Sequence, residues 1–194
     1  MIPRLVIGSK NRDKVEEIDA VLAATGLVGE IVRGLEWPDV DETGETLEDN
    51  ALLKARAVAE AVGLPSVADD TGLEVFALDG RPGVHTARYA GPEASYADNV
   101  RLLLDELEGI GDRRARFRSV VAIVMPDGWE TVAEGSLDGV IAAAPRGSNG
   151  FGYDPVFEVE GRTLSEMGVE QKNKLSHRAQ ALRALAESLG AAPQ

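Results

Sequence analysis

Residues 4–26, "RLVIGSKNRDKVEEIDAVLAATG", decide the class of fold. The run "RLVIG" reads as a strand, and the polar "SKNR" that follows reads as a loop. From near Asp13 the apolar residues Val15, Ile18, Val21 and Leu22, with Thr25, recur along one helical stripe. Asp13 and Glu16 stand at capping-box spacing, and Gly26 can take the left-handed conformation that stops a helix. A strand running through a polar loop into a helix start also holds anions well, because unpaired backbone N–H groups face the loop.

Outward from this opening, "GEIVRGLEWPDVDETGET" supplies a second strand and a polar loop. Thr46 caps a helix from Leu47 to about Ala61, with Asp49 at the reciprocal position and Leu52, Ala55, Ala59 and Val62 as its packing stripe. "SVA" is a short buried strand leading into Asp69 and Asp70, and "GLEVFAL" is the next strand. "DGRPGVHTARYAGPEAS" is too rich in glycine and proline for a regular element. Ser95 and Asp98 open an amphipathic helix carrying Val100, Leu103, Leu104 and Leu107. "ARFRSVVAIVMPDGWETVAEGSLDGVIAAA" holds three strand-like runs, with "PDG" as a hairpin turn between the first two. "PRGSNGFGYDPVFEVEG" is loop with a short strand inside, and Ser176 caps a last helix that turns Leu182, Leu185 and Leu189 to the core. The expected fold is α/β, a mixed sheet with helices against it. No repeat, linker or low-complexity tract divides the chain, so residues 1–194 read as a single domain in which two lobes can share a cleft.

Composition narrows the function classes. The 194 residues are 44% apolar, enough for a sizeable core. A formal net charge of -13 argues against binding duplex DNA, which depends on neutralising phosphates. It leaves room for a small phosphorylated ligand, because a local basic pocket or a divalent cation reverses the potential within one site. There is no cysteine, and His85 and His177 are the only histidines, too few for a zinc cluster. No apolar stretch approaches the roughly 20 residues that span a bilayer, and "MIPRLVIG" lacks the flanks of a signal peptide. The expectation is a cytoplasmic enzyme with no nucleic-acid or membrane partner.

The chemistry-bearing residues fall into clusters. Asp69 and Asp70 read either as a turn beside Gly72 or as a metal-assisted phosphate site. Adjacent carboxylates repel, so a cation must offset them if both are held close. Mg²⁺ takes oxygen ligands and accepts carboxylates beside phosphate oxygens. "DETGETLEDN" is mostly a solvated acidic loop and first turn, with Glu42 the candidate second metal carboxylate and Asp41 its alternative. Ser9, Lys10, Asn11 and Lys14 suit a polyphosphate near a helix start, or a polar surface turn; the spacing is not that of a Walker A loop. In "GSNGFGYDP", Phe151 or Tyr153 can stack on a base while backbone groups or Asp154 read its edge; a tight turn with Phe151 buried is the alternative. "QKNKLSHR" gathers Lys172, Lys174, His177 and Arg178 in an otherwise acidic chain.

Taken together, "SKNRDK", "DETGETLEDNALLKARA", "VADDTGLEVFALDGRPGVHTARYAG", "GFGYDP" and "QKNKLSHRAQAL" resemble, in order and separation, the inosine triphosphate pyrophosphatase family, and bacterial members most. The resemblance spans almost the whole chain. It implies an elongated α/β fold with a central active-site cleft, usually as a homodimer. It implies Mg²⁺-dependent attack of water on ITP, dITP or XTP, giving the monophosphate and pyrophosphate. Carried onto this chain, it makes Asp70 the catalytic base and a metal-linked carboxylate, with Asp69 supporting the same metal region and Glu42 the other metal ligand. Ser9, Lys10, Asn11, Arg12, Asp13 and Lys14 become phosphate contacts. Thr71 stands where many relatives carry serine and keeps the hydroxyl. Phe151, Gly152, Tyr153 and Asp154 resemble the nucleoside-binding turn, and Lys172, His177 and Arg178 the remaining phosphate and base contacts.

Base choice has a physical route. Hypoxanthine and xanthine carry O6 and a protonated N1, whereas adenine carries an amino group. Donors such as His177 or Arg178 favour O6 and oppose the adenine amine, a mismatch costing about 1–3 kcal/mol. Two other readings compete: a pyrophosphatase for pyrimidine or modified nucleotides, and a nucleotide-binding module without turnover. The "SHR" block argues against the first and the paired aspartates against the second.

Overall fold

The computed structural model describes residues 1–190, which partition into two compact units woven from separate stretches of chain. The first takes residues 1–70, 119–135 and the chain from 176 onward; the second takes 71–118 and 136–175. No helix among the described residues is long and apolar enough to cross a membrane.

In the first unit β1 (Ile2–Ile7) pairs in parallel with β2 (Val28–Val32) and with the start of β3 (Ser66–Val75). Helix α1 (Arg12–Thr25) links β1 to β2, and α2 (Leu47–Val62) precedes β3. The last helix, α5 (His177–Ser188), packs on α1. Leu5, Ile18, Leu22, Val67, Val121, Ile123, Leu182 and Leu185 form one buried core. In the second unit α3 (Tyr96–Glu106) carries Val100 and Leu103 into a separate core with Leu73, Val75, Phe117, Tyr153 and Phe157. Short strands β4 (Pro82–Gly83), β7 (Phe157–Val159) and β8 (Arg162–Thr163) belong to this unit, as does helix α4 (Val169–Leu175). With β5 (Arg114–Val124) and β6 (Glu130–Ile141), the strand order is β2-β1-β3-β5-β6-β7-β8, and β4 pairs with β3. Pairing is parallel around β1 and antiparallel at β3–β4, β6–β7 and β7–β8. The fold is therefore α/β with a mixed sheet and flanking helices.

The signals at helix ends hold at Gly26, Thr46, Ser95 and Ser176. Gly26 is left-handed at φ 64, Ser95 and Asp98 make a reciprocal capping box, and the Ser176 hydroxyl accepts from the Ala179 N–H. The "PDG" turn is also present, closed by the Gly128 N–H donating to the Met125 carbonyl.

Four local expectations are corrected. The cap of α1 is Asn11, whose Oδ1 accepts from the Asp13 and Lys14 N–H groups; Asp13 is an exposed first-turn residue. "SVA" and "GLEV" belong to one unbroken strand, so Asp69 and Asp70 lie inside β3 rather than at its end. They nevertheless extend past the end of β1, where the Gly8 N–H closes onto the Val67 carbonyl. The second and third strand-like runs after Arg114 are likewise one strand, β6. Gly135 within it is a close-approach glycine: a Cβ there would collide with the His177 carbonyl oxygen and the Ala181 nitrogen of α5. On α2 the buried stripe is Ala51, Ala55, Val58 and Ala59, with Leu52 and Val62 only partly covered. "VEQKNKL", to which the sequence reading assigned no element, is a helix, α4, which ends before Ser176 begins the next.

Candidate active site

Adjacent residues of a strand point to opposite faces, and β3 uses this to give its two aspartates different surroundings. Ser66 and Ala68 face α2: the space above Gly8 is bounded by the Ser66 Oγ, the Ala68 Cβ and the Val58 side chain. Asp70 continues that face. Val67 joins the core beneath α1 and α5, and Asp69 continues that one.

On the α2 side, Lys54 extends its ammonium to both Glu42 Oε1 and Asp70 Oδ1 at 2.7 Å each. Asn50, one turn earlier on α2, places its Nδ2 3.4 Å from Asp70 Oδ2. The three charged side chains are mostly shielded from water. Burial pushes the Lys54 ammonium down, but Asp70, Asp69 and Glu42 together outweigh it and leave it more firmly protonated than an ordinary lysine. Burial pushes the Asp70 carboxyl up, and the opposing pull of Lys54 and Lys14 does not cancel it. Asp70 is thus a more basic carboxylate than a solvated one.

On the other face, Asp69 Oδ2 receives Arg178 Nε at 3.0 Å and Lys14 Nζ at 3.2 Å. Arg178 is held a second time by Glu17, a turn beyond Lys14 on α1. Burial raises the Asp69 carboxyl, but Arg178, Lys14 and Lys54 overwhelm that and hold it far below the usual carboxylate range. Burial lowers the Lys14 ammonium, more than Asp69 restores it. Asp69 thus pairs with two cations on the face of the strand opposite Asp70, while still acting on Lys54 through its charge.

Two carboxylate oxygens converging on one cation, as those of Glu42 and Asp70 do on Lys54, can also receive a hard divalent ion. Among the described residues no group of three or more His, Cys, Asp or Glu forms a metal cage. That donor set suits Mg²⁺, which typically takes one or two carboxylates together with substrate phosphates. Of the two acidic candidates in the loop, Glu42 reaches this point, whereas Asp41 is exposed.

In the "SKNRDK" loop, the Ser9 Oγ accepts from the Asn11 N–H, and Asn11 caps α1. Lys10 pairs with Asp39 and Arg12 with Glu16, both at the surface. Lys14 alone of this group turns inward to an aspartate of β3. His177 and Arg178 open α5, both buried. Thr71 follows Asp70 and is half-buried at the start of the second unit.

Within the second unit, the turn 150–154 is organised by Asp154. Its Oδ2 accepts from the Phe151 N–H at 2.9 Å and from Lys172 Nζ at 2.5 Å. The Lys172 ammonium also stands 4.9 Å from the centre of the Phe151 ring, and Phe151 lies 5.8 Å from Tyr96. Tyr153 is a core residue, its hydroxyl donating to the Thr86 carbonyl. Gly152 holds a left-handed φ of 62. Of the turn's two aromatics, Phe151 is therefore the more accessible. The "QKNKLSHR" block is divided: Lys172 is on α4 in the second unit, while His177 and Arg178 are on α5 in the first. Three polar residues that sequence reading passed over are central here: Lys54, Asn50 and Glu17. Their signal was position, since Asn50 and Lys54 stand at i and i+4 beside an apolar stripe, and Glu17 is i+3 from Lys14.

The molecule is thus an α/β protein that pairs buried carboxylates with cations on both faces of one strand. Residues 5–188 match the Ham1 family, and the chain belongs to that family. It is 49% identical to the dITP/XTP pyrophosphatase of Symbiobacterium thermophilum over 193 residues, covering 97% of this chain and 95% of the relative. It is 47% identical to that of Streptomyces coelicolor, covering 94% of each. Among solved structures it resembles a HAM1 protein from Coxiella burnetii (TM-score 0.86, 39% identity, 98% of this chain and all of the other). It also resembles a nucleoside-triphosphatase, or dITP/XTP pyrophosphatase, of Mycobacterium abscessus (TM-score 0.73, 44% identity, 96% and 99%).

Proposed function

We propose that this chain hydrolyses ITP, dITP and XTP to the nucleoside monophosphate and pyrophosphate, with Mg²⁺ as cofactor, as a cytoplasmic homodimer. The observation that carries the reading is the convergence of Glu42 and Asp70 oxygens on the Lys54 ammonium, one of them belonging to a carboxylate made more basic by burial. The family supplies the substrate class: the relatives above are named for dITP and XTP.

Glu42 and Asp70 would hold the ion, which supplies charge neutralisation on the phosphate oxygens. Asp70 takes the proton of the attacking water, a role that a raised carboxyl pKa favours. Lys14 and Lys172 offset charge on the polyphosphate, and fixed cations do this better than water because they need not reorganise. Asp69 and Glu17 hold the Arg178 guanidinium in one orientation. His177 and Arg178 donate to a purine O6, disfavouring adenine, while Phe151 offers its ring to the base. Ser9, Asn11, Thr71 and the backbone of Gly152 add polar contacts. Asp154 serves this substrate by holding Phe151 and Lys172.

The test is product identification. Pure protein with Mg²⁺ is given ITP, XTP, ATP, GTP, UTP and dTTP in separate reactions. Inosine monophosphate plus pyrophosphate, with slow turnover of ATP, is the expected result. Inosine diphosphate plus orthophosphate, or preference for UTP or dTTP, would overturn it. Light scattering on an eluting peak tests the dimer.

A further inference from the structure

We infer that Asn50 is a positioning residue that sets the distance between Glu42 and Asp70. The inference rests on the proposed cation site and goes beyond it, because Asn50 would touch neither ion nor nucleotide. Asn50 is fully buried on the first turn of α2. Its Oδ1 accepts from the Gly44 N–H at 2.8 Å, while its Nδ2 lies 3.4 Å from both the Gly44 carbonyl and Asp70 Oδ2. Donor and acceptor can be arranged only one way: the N–H of Gly44 requires the amide oxygen, and the carbonyl and carboxylate require the amide nitrogen. One side chain thus grips both backbone groups of a loop residue and leans on a carboxylate of β3.

Glu42 lies two residues before Gly44, so the grip on Gly44 sets where the Glu42 carboxylate stands. The loop is built to accept it. A Cβ on Gly44 would stand 2.5 Å from the Asp49 Cβ and 2.7 Å from Asn50 Oδ1, so only glycine permits this approach. Thr46 pins the other end of the same loop by capping α2. Lys54 also reaches Glu42, but its flexible stem does not define a separation.

The test measures ion binding apart from turnover. Mn²⁺ affinity is read by electron paramagnetic resonance on nucleotide-free protein, and Mg²⁺ half-saturation is read in steady state, for wild type, Asn50→Ala and Asn50→Asp. Outer-shell changes typically weaken metal affinity about 10–100-fold, and Asn50→Ala is expected at the lower end, near 10-fold, in both readouts. KM for nucleotide at saturating Mg²⁺ should move less than about 3-fold on the same footing. Asn50→Asp keeps the acceptor for Gly44 but sets a carboxylate toward Asp70, so it should not rescue. Gly44→Ala attacks the same grip from the loop side and carries the test if Asn50 variants fail to fold; it should reproduce the metal phenotype. Unchanged Mn²⁺ and Mg²⁺ affinity in the folded variants overturns the inference. Absence of Mn²⁺ binding and of Mg²⁺ dependence in wild type would instead overturn the proposed cation site.

Discussion

At the scale of single residues, burial and pairing give two neighbouring aspartates opposite chemistry. Asp69 is locked as an anion between Arg178 and Lys14, whereas Asp70 is the more basic and faces Glu42 and Lys54. Asp70→Asn should lower kcat by about 10²–10⁴-fold, the range for loss of a general base, with nucleotide affinity by equilibrium dialysis changed only a few-fold. Near-normal turnover would contradict the assignment. In the second unit, Lys172 and Asp154 are a buried pair, both almost wholly covered. Lys172→Ala should raise KM and also cost about 3–5 kcal/mol in urea unfolding, because it strands a buried carboxylate. Adding Asp154→Asn should return part of that stability without restoring KM; equal stability of the single variant and wild type would refute the pairing. Tyr89 offers a pH test away from the proposed site. Burial and the Glu106 carboxylate, which accepts from its hydroxyl, push its phenol from 10.0 to about 12, against the pull of Arg81. A folded pKa above the unfolded one gives stability that is present below about pH 10 and lost as pH rises toward about 12. Ultraviolet titration of Glu106→Gln should bring one tyrosine back toward the ordinary range; an unmoved curve would exclude the contact.

At the scale of elements, the signals that proved legible were local ones. Gly26, Thr46, Ser95 and Ser176 mark helix ends because caps are satisfied by neighbours in sequence. What sequence could not supply was long-range compensation. Asp69 and Asp70 look like a strand terminus only until Lys14, Arg178 and Lys54, residues from three different helices, are seen to neutralise them within β3. Lys54 and Asn50 looked like ordinary helix polarity for the same reason: their partners lie 16 and 20 positions away. The second and third runs after Arg114 read as separate strands, and the approach of α5 to β6 at Gly135 is invisible locally. That approach makes a sharp prediction. Gly135→Ala must push the start of α5 outward, destabilising the protein by about 1–3 kcal/mol as overpacked sites do, and disturbing His177 and Arg178 with it. Discrimination between ITP and ATP should fall alongside the melting temperature; a shift in melting temperature with discrimination intact would separate α5 packing from base choice.

At the scale of the whole molecule, neither unit is a continuous piece of chain. The core of the first draws Leu5, Ile18 and Val67 from one stretch, Val121 and Ile123 from another, and Leu182 and Leu185 from a third. A fragment of residues 1–118 therefore holds β1, α1, α2 and β3 without the side chains that cover them. It should show no cooperative urea transition by circular dichroism, whereas one resembling that of the intact chain would show the first stretch to be self-sufficient. The same interleaving governs biosynthesis. Domains are usually completed in the order in which the ribosome emits them, yet here residues 1–70 wait for the chain beyond residue 176 to complete their core. While the nascent polypeptide stops short of α5, the part of α1 that packs on it stays open to solvent or to chaperones, although β1 and β2 are already in place.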